Sequence, residues 1–339
     1  MPAVPLLRDL DLSALESPAV LRAAIAASRQ LAELKGVLSS VPDQTVLAVV
    51  LGLQEAKDSA ALDGLVASYD DLLRSTVADE GQQDPVARQA VQAVRAAHHG
   101  FARVRTSGRI TGMLLLELQG MVEGQRASYR TRTTGLTMAL MADLETFTNG
   151  VLPTPIDPLV RMAIVQWQYD RIAPFERAPG RVGRMLTAMA MGQHDLLASP
   201  LLLLSRAHRE TRATYDRLAL DAAHDGAWEP WLRYWLSAVE SAAQRTRGAV
   251  ADTRAVMKRS SRAIRRRLAY ADRPLVRSLF AHPYTKIEFL MADLRVSRPT
   301  AKRYLDGLVS ESILTKYRVG RVNYYVNEAL CAAMNALDE

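Results

Sequence analysis

The sequence predicts a mainly α-helical protein that ends in a compact domain of three helices and a β-hairpin. Apolar residues recur at intervals of three and four along most of the chain, which is the period of an amphipathic helix. Strand-like alternation is scarce before residue 312, and two short alternating segments then flank Gly320. Helices should therefore form the body of the protein, with the strands near its C-terminus.

The composition is that of an ordinary globular protein with two or three domains. The chain has 339 residues, of which 49% are apolar and 23% charged. No apolar run approaches the roughly 20 residues of a membrane span, and the N-terminus lacks the basic and apolar regions of a secretory signal. Cys331 is the single cysteine, which excludes a disulfide within the chain and a cysteine-based metal site. We therefore expect a cytoplasmic protein with no membrane partner.

Six segments with the helical period follow one another before residue 173. Short stretches that favour loops, such as "SSVPD", "EGQQDP" and "PTPIDP", lie between them. Each segment is predicted to form one helix. The six are "AVLRAAIAASRQLAELKGVL", "TVLAVVLGLQEA", "QAVQAVRAAHHGF", "MLLLELQGMV", "LTMALMADLETFTNGVL" and "PLVRMAIVQWQYDRI".

The next stretch, "IAPFERAPGRVGRMLTAMAM", has the features of an anion-binding loop. A turn at Ala178-Pro179-Gly180 leads into an amphipathic helix that carries Arg181 and Arg184 in its first turn. Free N–H groups at a helix N-terminus and two guanidinium groups favour a phosphate. From residue 172 up to Arg184 there is no His, Asp, Cys, Ser or Lys, and Glu176 is the single carboxylate. The sequence thus predicts a loop that holds an anion but has few groups to react with it.

Positive charge is concentrated in the last third of the chain. From Ser241 onward there are 19 Lys and Arg against 9 Asp and Glu, whereas the first 240 residues carry a small net negative charge. Six of the ten residues 258–267 are Lys or Arg. Such a run cannot be core, so it is either a solvated connector or an anion-binding surface. This third is a candidate nucleic-acid face.

The segment after Asp272 has the pattern of a winged helix-turn-helix. Helices are predicted in "RPLVRSLFAH", "TKIEFLMADL" and "SRPTAKRYLDGLVSES", with Ser297 as the N-cap of the third, and strands in "ILTKYRV" and "VNYYVNE". In that geometry the third helix enters the major groove of DNA, and the hairpin contacts phosphates. The alternative is a module that binds proteins. The predicted DNA-contacting residues are Arg298, Thr300, Lys302 and Arg303 on the helix and Lys316, Arg318, Arg321 and Asn323 on the hairpin.

The loop "IAPFERAPGRVGRML" resembles the signature of Fic proteins, His-x-Phe-x-(Asp/Glu)-Gly-Asn-Gly-Arg-x-x-Arg. That family transfers AMP or related phosphate-containing groups onto hydroxyl side chains. The resemblance spans most of residues 10–330 and includes "LGLQEAKDSAALDGLVASYDDLLRS" before the loop and "PLLLLSRAHRETRATYDRLALDAAHDGAWEPWLRYWL" after it. It implies a Fic-type helical bundle with a short vestigial β-hairpin flap at "SYRTRTTGLTMAL" and a C-terminal winged helix.

The resemblance implies four parts along the chain. Residues 1–95 correspond to the N-terminal helical extension of the family, and residues 96–245 to the Fic core. Residues 246–271 form a basic connector helix, and residues 272–339 the winged helix-turn-helix. A homodimer is expected.

The chain departs from the family signature where the chemistry is performed. Ala173 stands at the place of the His that acts as general base, and Arg177 at the place of the acid that holds magnesium. General base catalysis typically contributes about 10²–10⁴-fold to a rate, and a methyl group cannot accept a proton. We therefore expect no catalytic residue, no metal and no AMP transfer by the family's route, although enzyme activity of another kind stays open.

The residues that match the signature are its structural and anion-holding positions. Phe175, Gly180, Arg181 and Arg184 are present, and Arg177 could add a third guanidinium in place of the metal. A phosphate or nucleotide ligand bound without magnesium is therefore predicted. The alternative is that Arg177 points to solvent and that Phe175 holds a relic of the loop.

A second resemblance concerns an inhibitory segment. In the family, a Ser/Thr-x-x-x-Glu stretch on an N-terminal helix places its Glu against the last Arg of the signature. Here Ser59, Asp63 and Gly64 occupy that stretch, with Asp63 at the place of the Glu. The resemblance implies an Asp63–Arg184 pair that closes the site. The alternative is a carboxylate on the surface of a helix.

Three hypotheses for function follow. The preferred one is a Fic-like protein that cannot transfer AMP. It acts as a DNA-binding or regulatory protein and keeps a pocket that binds phosphate. The second is an enzyme with new chemistry at the old pocket, using Glu176, Asp170 or Tyr169 as acid or base, or with residual nucleotidyl transfer. The third is a partner that restrains an active relative.

Overall fold

The computed structural model describes residues 4–41, 44–77, 83–130, 134–150, 155–267, 273–319 and 322–336. These residues form two short 3-10 turns, fifteen α-helices and three β-strands. The predominance of helices confirms the fold class that the apolar period predicted.

The first eight helices lead to the predicted anion-binding loop and continue beyond it. Their bounds are α1 Pro18–Ser39, α2 Thr45–Leu62, α3 Tyr69–Ser75, α4 Pro85–Ser107, α5 Gly112–Glu123, α6 Thr134–Asn149, α7 Pro158–Ile172 and α8 Pro179–Gln193. Helices α9 Leu204–Glu210, α10 Arg212–Asp225 and α11 Trp228–Arg267 follow. The basic run 258–267 forms the end of α11, so residues 246–267 of the predicted connector are the last part of one 40-residue helix, and residues 268–271 lie outside the described part of the chain.

The chain forms two compact units. The first contains Met1–Val41, Glu55–Val66 and Gln92–Arg247, and the second contains Pro42–Gln54, Ala67–Val91 and Gly248–Glu339. Helices α2, α4 and α11 contribute residues to both units. The four-part division that the resemblance implies stays a prediction.

Helix α7 lies at the centre of the first unit, in contact with α1, α6 and α8. It begins where the Asp157 carboxylate accepts a hydrogen bond from the Leu159 N–H at 2.8 Å, and Pro158 fits the first turn because it needs no partner for an N–H. Eleven of its fifteen residues are buried. Trp167 is fully buried and donates its indole N–H to the Ala219 carbonyl at 2.9 Å. The position of the following loop is therefore set by a fully packed helix.

Two glycines permit close contacts between α4, α5 and α8. A Cβ on Gly192 would lie 2.6 Å from the Phe101 ring, and a Cβ on Gly100 would lie 2.7 Å from Met189 Sδ and 2.9 Å from Leu118. Real side-chain carbons do not approach so closely, so any larger residue must displace its neighbours.

The predicted hairpin flap is not present among the described residues. Residues 126–130 are not in a strand, residues 131–133 lie outside the described part of the chain, and Thr134 already begins α6. The reason lies in the spacing of the buried side chains, because Leu140, Leu144 and Phe147 recur at helical intervals. The second half of "SYRTRTTGLTMAL" therefore belongs to a helix.

The second unit contains the predicted three helices and hairpin. Helices α12 Arg273–Ala281, α13 Ile287–Leu294 and α14 Arg298–Ser310 contact one another in sequence. Strands β2 Thr315–Val319 and β3 Val322–Val326 pair antiparallel, with Tyr317 opposite Tyr324, and the short β1 Tyr284–Thr285 pairs with β3 on its other edge. Ser297 precedes α14 as predicted, but its hydroxyl contacts Thr300 Oγ1 at 3.0 Å rather than a backbone N–H. The sequence prediction missed the last helix, α15 Glu328–Ala336.

We expect Gly192→Ala to destabilise the protein although alanine favours helices. The Cβ would displace the Phe101 ring, and overpacking of this kind usually costs about 1–3 kcal/mol. The control is Gly36→Ala in α1, where nothing lies within 4 Å of the added carbon; this change should raise stability by about 0.5–1 kcal/mol. Urea unfolding measures both. Equal effects of the two substitutions would contradict the predicted close contact.

Candidate functional site

The predicted anion-binding loop is a sharp connection between α7 and α8. Ala173 ends α7 in the left-handed conformation with φ 43°, and its N–H donates to the Tyr169 carbonyl at 2.9 Å. Ala178 precedes α8 with φ 41°, again left-handed. Two non-glycine residues in this region are unfavourable by about 1 kcal/mol or more each, so the surrounding packing must impose the shape.

Three contacts impose that shape. The Phe175 side chain is 2% exposed and stacks on the Tyr129 ring at a centroid distance of 5.8 Å. The buried Gln119 donates to the carbonyl oxygen of Arg177 at 2.8 Å, and the Pro174 carbonyl accepts from the Arg130 N–H at 3.0 Å. Phe175 therefore lies where an anchor of the loop was expected.

The residues at the general-base and metal-ligand positions of the family signature provide neither a base nor a metal ligand. Ala173 is half-buried and contributes a methyl group, and the Arg177 side chain is exposed. Arg177 therefore points to solvent and does not add a third guanidinium group to the site. Glu176 is also exposed, on the outside of the loop. No group of three or more His, Cys, Asp or Glu that could hold a metal ion occurs among the described residues.

The two retained arginines share the carboxylate of Asp63, which directly follows α2. Arg181 donates its Nε–H to Asp63 Oδ2 at 2.8 Å, and Arg184 Nη2 lies 3.3 Å from Asp63 Oδ1. Arg184 also donates through Nε to Ser59 Oγ and through Nη2 to the Ser59 carbonyl, each at 2.7 Å. The expected Asp63–Arg184 pair is present in the geometry, and Arg181 makes the shorter contact, which the sequence did not indicate.

Two glycines make room for this pairing. Gly64 has φ +77° and turns the chain away immediately after Asp63 at the end of α2. A Cβ on Gly180 would lie 2.7 Å from Arg184 Nη1 and 3.4 Å from Asp63 Oδ1. Gly180 therefore leaves the space in which the guanidinium group meets the carboxylate.

The ion pair is largely removed from water. The side chain of Arg181 is 2% exposed, that of Arg184 13% and that of Asp63 15%. A charged group buried to this degree needs an opposite charge, because desolvation is otherwise strongly unfavourable. Asp63 supplies that charge from within the chain, at the place where the phosphate of a ligand was expected.

Two buried carboxylates of α2, which were not predicted as site residues, contact the segment after α8. Asp58 is fully buried and lies 3.0 Å from Arg209 Nη1 and 3.5 Å from Arg206 Nε. Glu55 accepts from the Ser205 N–H at 3.1 Å and from its hydroxyl at 2.5 Å, and burial raises the pKa of Glu55 to about 7. The signal was available, since residues 55, 58, 59 and 63 recur at helical intervals on one face.

Asp170, one of the acid and base candidates of the second hypothesis, belongs to an internal hydrogen-bond network. Asp170 Oδ2 accepts from Gln166 Nε2 at 2.9 Å and from the Tyr215 hydroxyl, and burial raises the pKa of Asp170. Tyr169 is fully buried, which raises its pKa well above the usual range, and its ring lies against Gly183. The imidazole of His208, with a pKa lowered to about 3 by burial, packs on Tyr215. Asp170, Gln166 and Tyr215 are therefore held by one another, whereas the buried Tyr169 hydroxyl has no hydrogen-bond partner within the described part of the chain.

Helix α14, the last of the three helices before the hairpin, presents part of the predicted DNA-contacting set. Lys302 and Arg303 are exposed, and the opposite face of α14 is buried through Ala301, Leu305 and Leu308. Arg298 donates to Glu288 Oε1 at 2.7 Å. Thr300 is half-buried beside Ser297. Lys302 and Arg303 are therefore the helix residues best placed to reach a ligand.

The hairpin places its basic residues on strand β2. Lys316 lies 3.3 Å from Asp306 Oδ1 and over the Tyr325 ring, and Arg318 is exposed. Asn323 pairs opposite Arg318 on β3. Arg321 lies outside the described residues.

None of the described helices combines the length and the apolar character that crossing a bilayer requires.

Two family descriptions match parts of the chain. Residues 21–102 match "Fic/DOC family N-terminal", and residues 256–330 match "Protein adenylyltransferase SoFic-like, C-terminal domain". The first match contains Ser59 and Asp63, and the second contains the basic end of α11, α14 and the hairpin.

Solved structures of Fic proteins are similar to the whole fold. A Fic family protein from Desulfovibrio desulfuricans superposes with a TM-score of 0.54 at 17% identity, covering 92% of this chain and 96% of that chain. Fic-1 from C. elegans superposes with a TM-score of 0.52 at 20% identity, covering 68% of this chain and 74% of that chain. The helical architecture is therefore of the Fic type.

We expect Asp63→Ala to destabilise the protein and to make its stability depend on phosphate. Removal of one partner of a buried pair usually costs about 3–5 kcal/mol. Phosphate that replaces the carboxylate should restore about 1.4 kcal/mol when its concentration is tenfold above the dissociation constant. Thermal unfolding at increasing phosphate concentration measures this rescue.

Two controls accompany the Asp63 variant. Asp216→Ala breaks an exposed pair with Arg212 and should change stability by less than about 1 kcal/mol without phosphate rescue. Asp63→Ala combined with Arg184→Gln should lose the rescue. Equal phosphate dependence of the wild type and Asp63→Ala would show that Asp63 does not occupy the anion position.

Proposed function

We propose that this chain, a Fic-family protein by its two matching family domains and its Fic-type fold, does not transfer AMP and acts as a DNA-binding regulator. The observation that carries the first part is the methyl group of Ala173 at the base position, next to an anion site closed by Asp63. The second part rests on the exposed basic face of α14.

The missing base argues against the family reaction. Transfer of AMP onto a hydroxyl requires that the proton of the attacking hydroxyl be accepted by a group within about 3 Å. Ala173 has no such group, and Asp170 already accepts hydrogen bonds from Tyr215 and Gln166. The raised pKa of Asp170 is therefore explained by its burial in this network, and the hypothesis of new chemistry gains no support from it.

The residues at the metal position do not fit magnesium. Mg²⁺ binds carboxylate and carbonyl oxygens. Here Arg177 contributes a cation, and Pro179 stands at the place of the signature Asn. The nearest carboxylate in the site, Asp63, is paired with both Arg181 and Arg184. We derive no step through a metal ion.

The retained arginines give the site a remaining binding capacity. If Asp63 withdraws, two guanidiniums and the N-terminus of α8 are left to receive a phosphate. A nucleotide or inorganic phosphate bound without magnesium is the ligand class that this arrangement favours. Since Asp63 competes for the same guanidiniums, the affinity of the resting protein should be low.

The second unit supports DNA as the partner. Its three helices and hairpin have the order of a winged helix-turn-helix, in which the third helix enters the major groove. Lys302 and Arg303 are exposed on that helix, and Arg318 is exposed on the hairpin.

A homodimer in the cytoplasm remains the expected form of the protein.

We expect no AMP transfer by either the wild type or Asp63→Ala. The purified proteins are incubated with labelled ATP, Mg²⁺ and cell lysate, with an active Fic enzyme as positive control. The Asp63 variant is included because its anion site is not closed by a carboxylate. If this variant also transfers no AMP, the cause is the missing base and metal ligand and not the closed site. Transfer that is lost in Arg181→Ala would overturn the proposal.

We expect the full chain to bind duplex DNA and to lose affinity in Lys302→Ala/Arg303→Ala. Loss of base or phosphate contacts should cost about 1–3 kcal/mol per residue, equivalent to at least tenfold for the pair. Mobility-shift assays on genomic fragments measure the affinity, with Arg22→Gln/Arg29→Gln in α1 as the control that removes the same charge. Absence of wild-type binding at low salt would contradict DNA binding.

A further inference from the structure

The last turns of α11 present a concentrated row of positive charge. Five cationic side chains, all exposed, occupy this segment, and we call them the α11 ridge: Lys258, Arg259, Arg262, Arg265 and Arg266. With 100° of rotation per residue, the five lie within an arc of about 120° of the helix surface. The ridge is therefore one face of the helix, and it advances by about 6 Å with each step of four residues.

The face of α11 opposite the ridge is buried in the part of the helix from residue 250 to residue 264. Val250 is fully buried, and Thr253 and Ile264 are 4% and 1% exposed. These residues lie roughly opposite the ridge on the helix. The Thr253 hydroxyl bonds back to the Ala249 carbonyl at 2.7 Å, which is consistent with a dry environment. Packing therefore fixes which face of α11 the solvent meets.

The ridge cations are not neutralised within the described part of the chain. None of the five lies within ion-pair distance of a carboxylate there, whereas Arg298 is paired with Glu288 and Lys316 with Asp306 in the same unit. Asp252 is exposed on this helix, but it lies about 9 Å along the axis from the start of the ridge. Like charges at neighbouring helical positions destabilise a helix, so the fold itself gains nothing from them.

A nucleic-acid backbone is the partner whose chemistry fits this surface. Duplex DNA carries one negative charge per about 1.7 Å of its axis, and a row of Lys and Arg binds it by releasing condensed counterions. An anionic membrane fits less well, because a surface-bound helix also inserts apolar side chains. Val250 and Ile264 are buried, Val256 and Met257 are half-buried, and no large apolar side chain is exposed between 248 and 266.

We propose that the α11 ridge is a second DNA contact, independent of base sequence, which grips the phosphate backbone while α14 reads the bases. The inference rests on the proposed DNA-binding function and adds a site to it. Because the ridge contacts phosphates alone, its removal weakens binding to all duplexes equally and lowers the salt dependence of binding.

The test compares two triple variants of the full chain. Lys258→Gln/Arg262→Gln/Arg266→Gln removes three ridge charges, and glutamine preserves the helix. Arg22→Gln/Arg29→Gln/Arg126→Gln removes three exposed charges elsewhere. Affinity for a selected and an unrelated duplex is measured over a series of salt concentrations, and thermal unfolding confirms that both variants are folded.

The ridge variant should bind both duplexes at least tenfold more weakly, and the slope of log K against log salt should fall by about 2–3, since each phosphate contact contributes about 0.9. The control variant should keep the wild-type slope. If wild type binds DNA and the ridge variant keeps its slope, the ridge proposal fails while the proposed function stands. If wild type binds no DNA, both fail.

Two further arms separate other polyanions. Weaker binding of the ridge variant that is confined to duplex RNA would overturn the assignment to DNA. The assignment to DNA would also be overturned if the ridge variant no longer sedimented with phosphatidylserine vesicles while its affinity for DNA was unchanged.

Discussion

The carboxylate of Asp63, shared between Arg181 and Arg184, is the interaction on which the candidate site depends. It joins the end of α2 to the first turn of α8, two segments more than a hundred residues apart in sequence. Two guanidinium groups with little exposure to water need a counter-charge, and Asp63 provides it. Glycine at positions 64 and 180 serves this ion pair. Gly64 adopts a left-handed turn directly after Asp63, and the absence of a side chain at Gly180 leaves room for the Arg184 guanidinium group.

This constraint explains why a loop without catalytic groups keeps the shape of a catalytic one. Phe175 fills a buried position against Tyr129, and Gly180, Arg181 and Arg184 serve the ion pair. Each of these residues has a structural task that does not require transfer chemistry. The general base and the metal ligand have no such task. Under the proposed function, their replacement by Ala173 and Arg177 removes AMP transfer, while the residues that hold the loop in place are kept.

The sequence predicted the local elements well and the long-range pairings poorly. Helical periods identified α1, α2 and α4 to α8 but not α3, and "SRPTAKRYLDGLVSES" predicted α14 with its buried Ala301 and Leu305. The predicted hairpin flap is absent from the described residues, because the pattern from Thr134 onward is helical. The contact of Glu55 with Ser205 joins residues that are 150 positions apart. The hydrogen bond from Arg181 to Asp63 likewise depends on tertiary packing. Such pairings follow from the arrangement of helices, which no local pattern encodes.

The most direct measurement of the central claim is calorimetric titration with ATP in metal-free buffer. If Asp63 occupies the anion position, the wild type should give no binding heat at millimolar ATP, and Asp63→Ala should bind ATP in a manner that Arg181→Gln abolishes. Equal ATP affinity of the wild type and the Asp63 variant would contradict the account, because the carboxylate would then not compete for the two arginines.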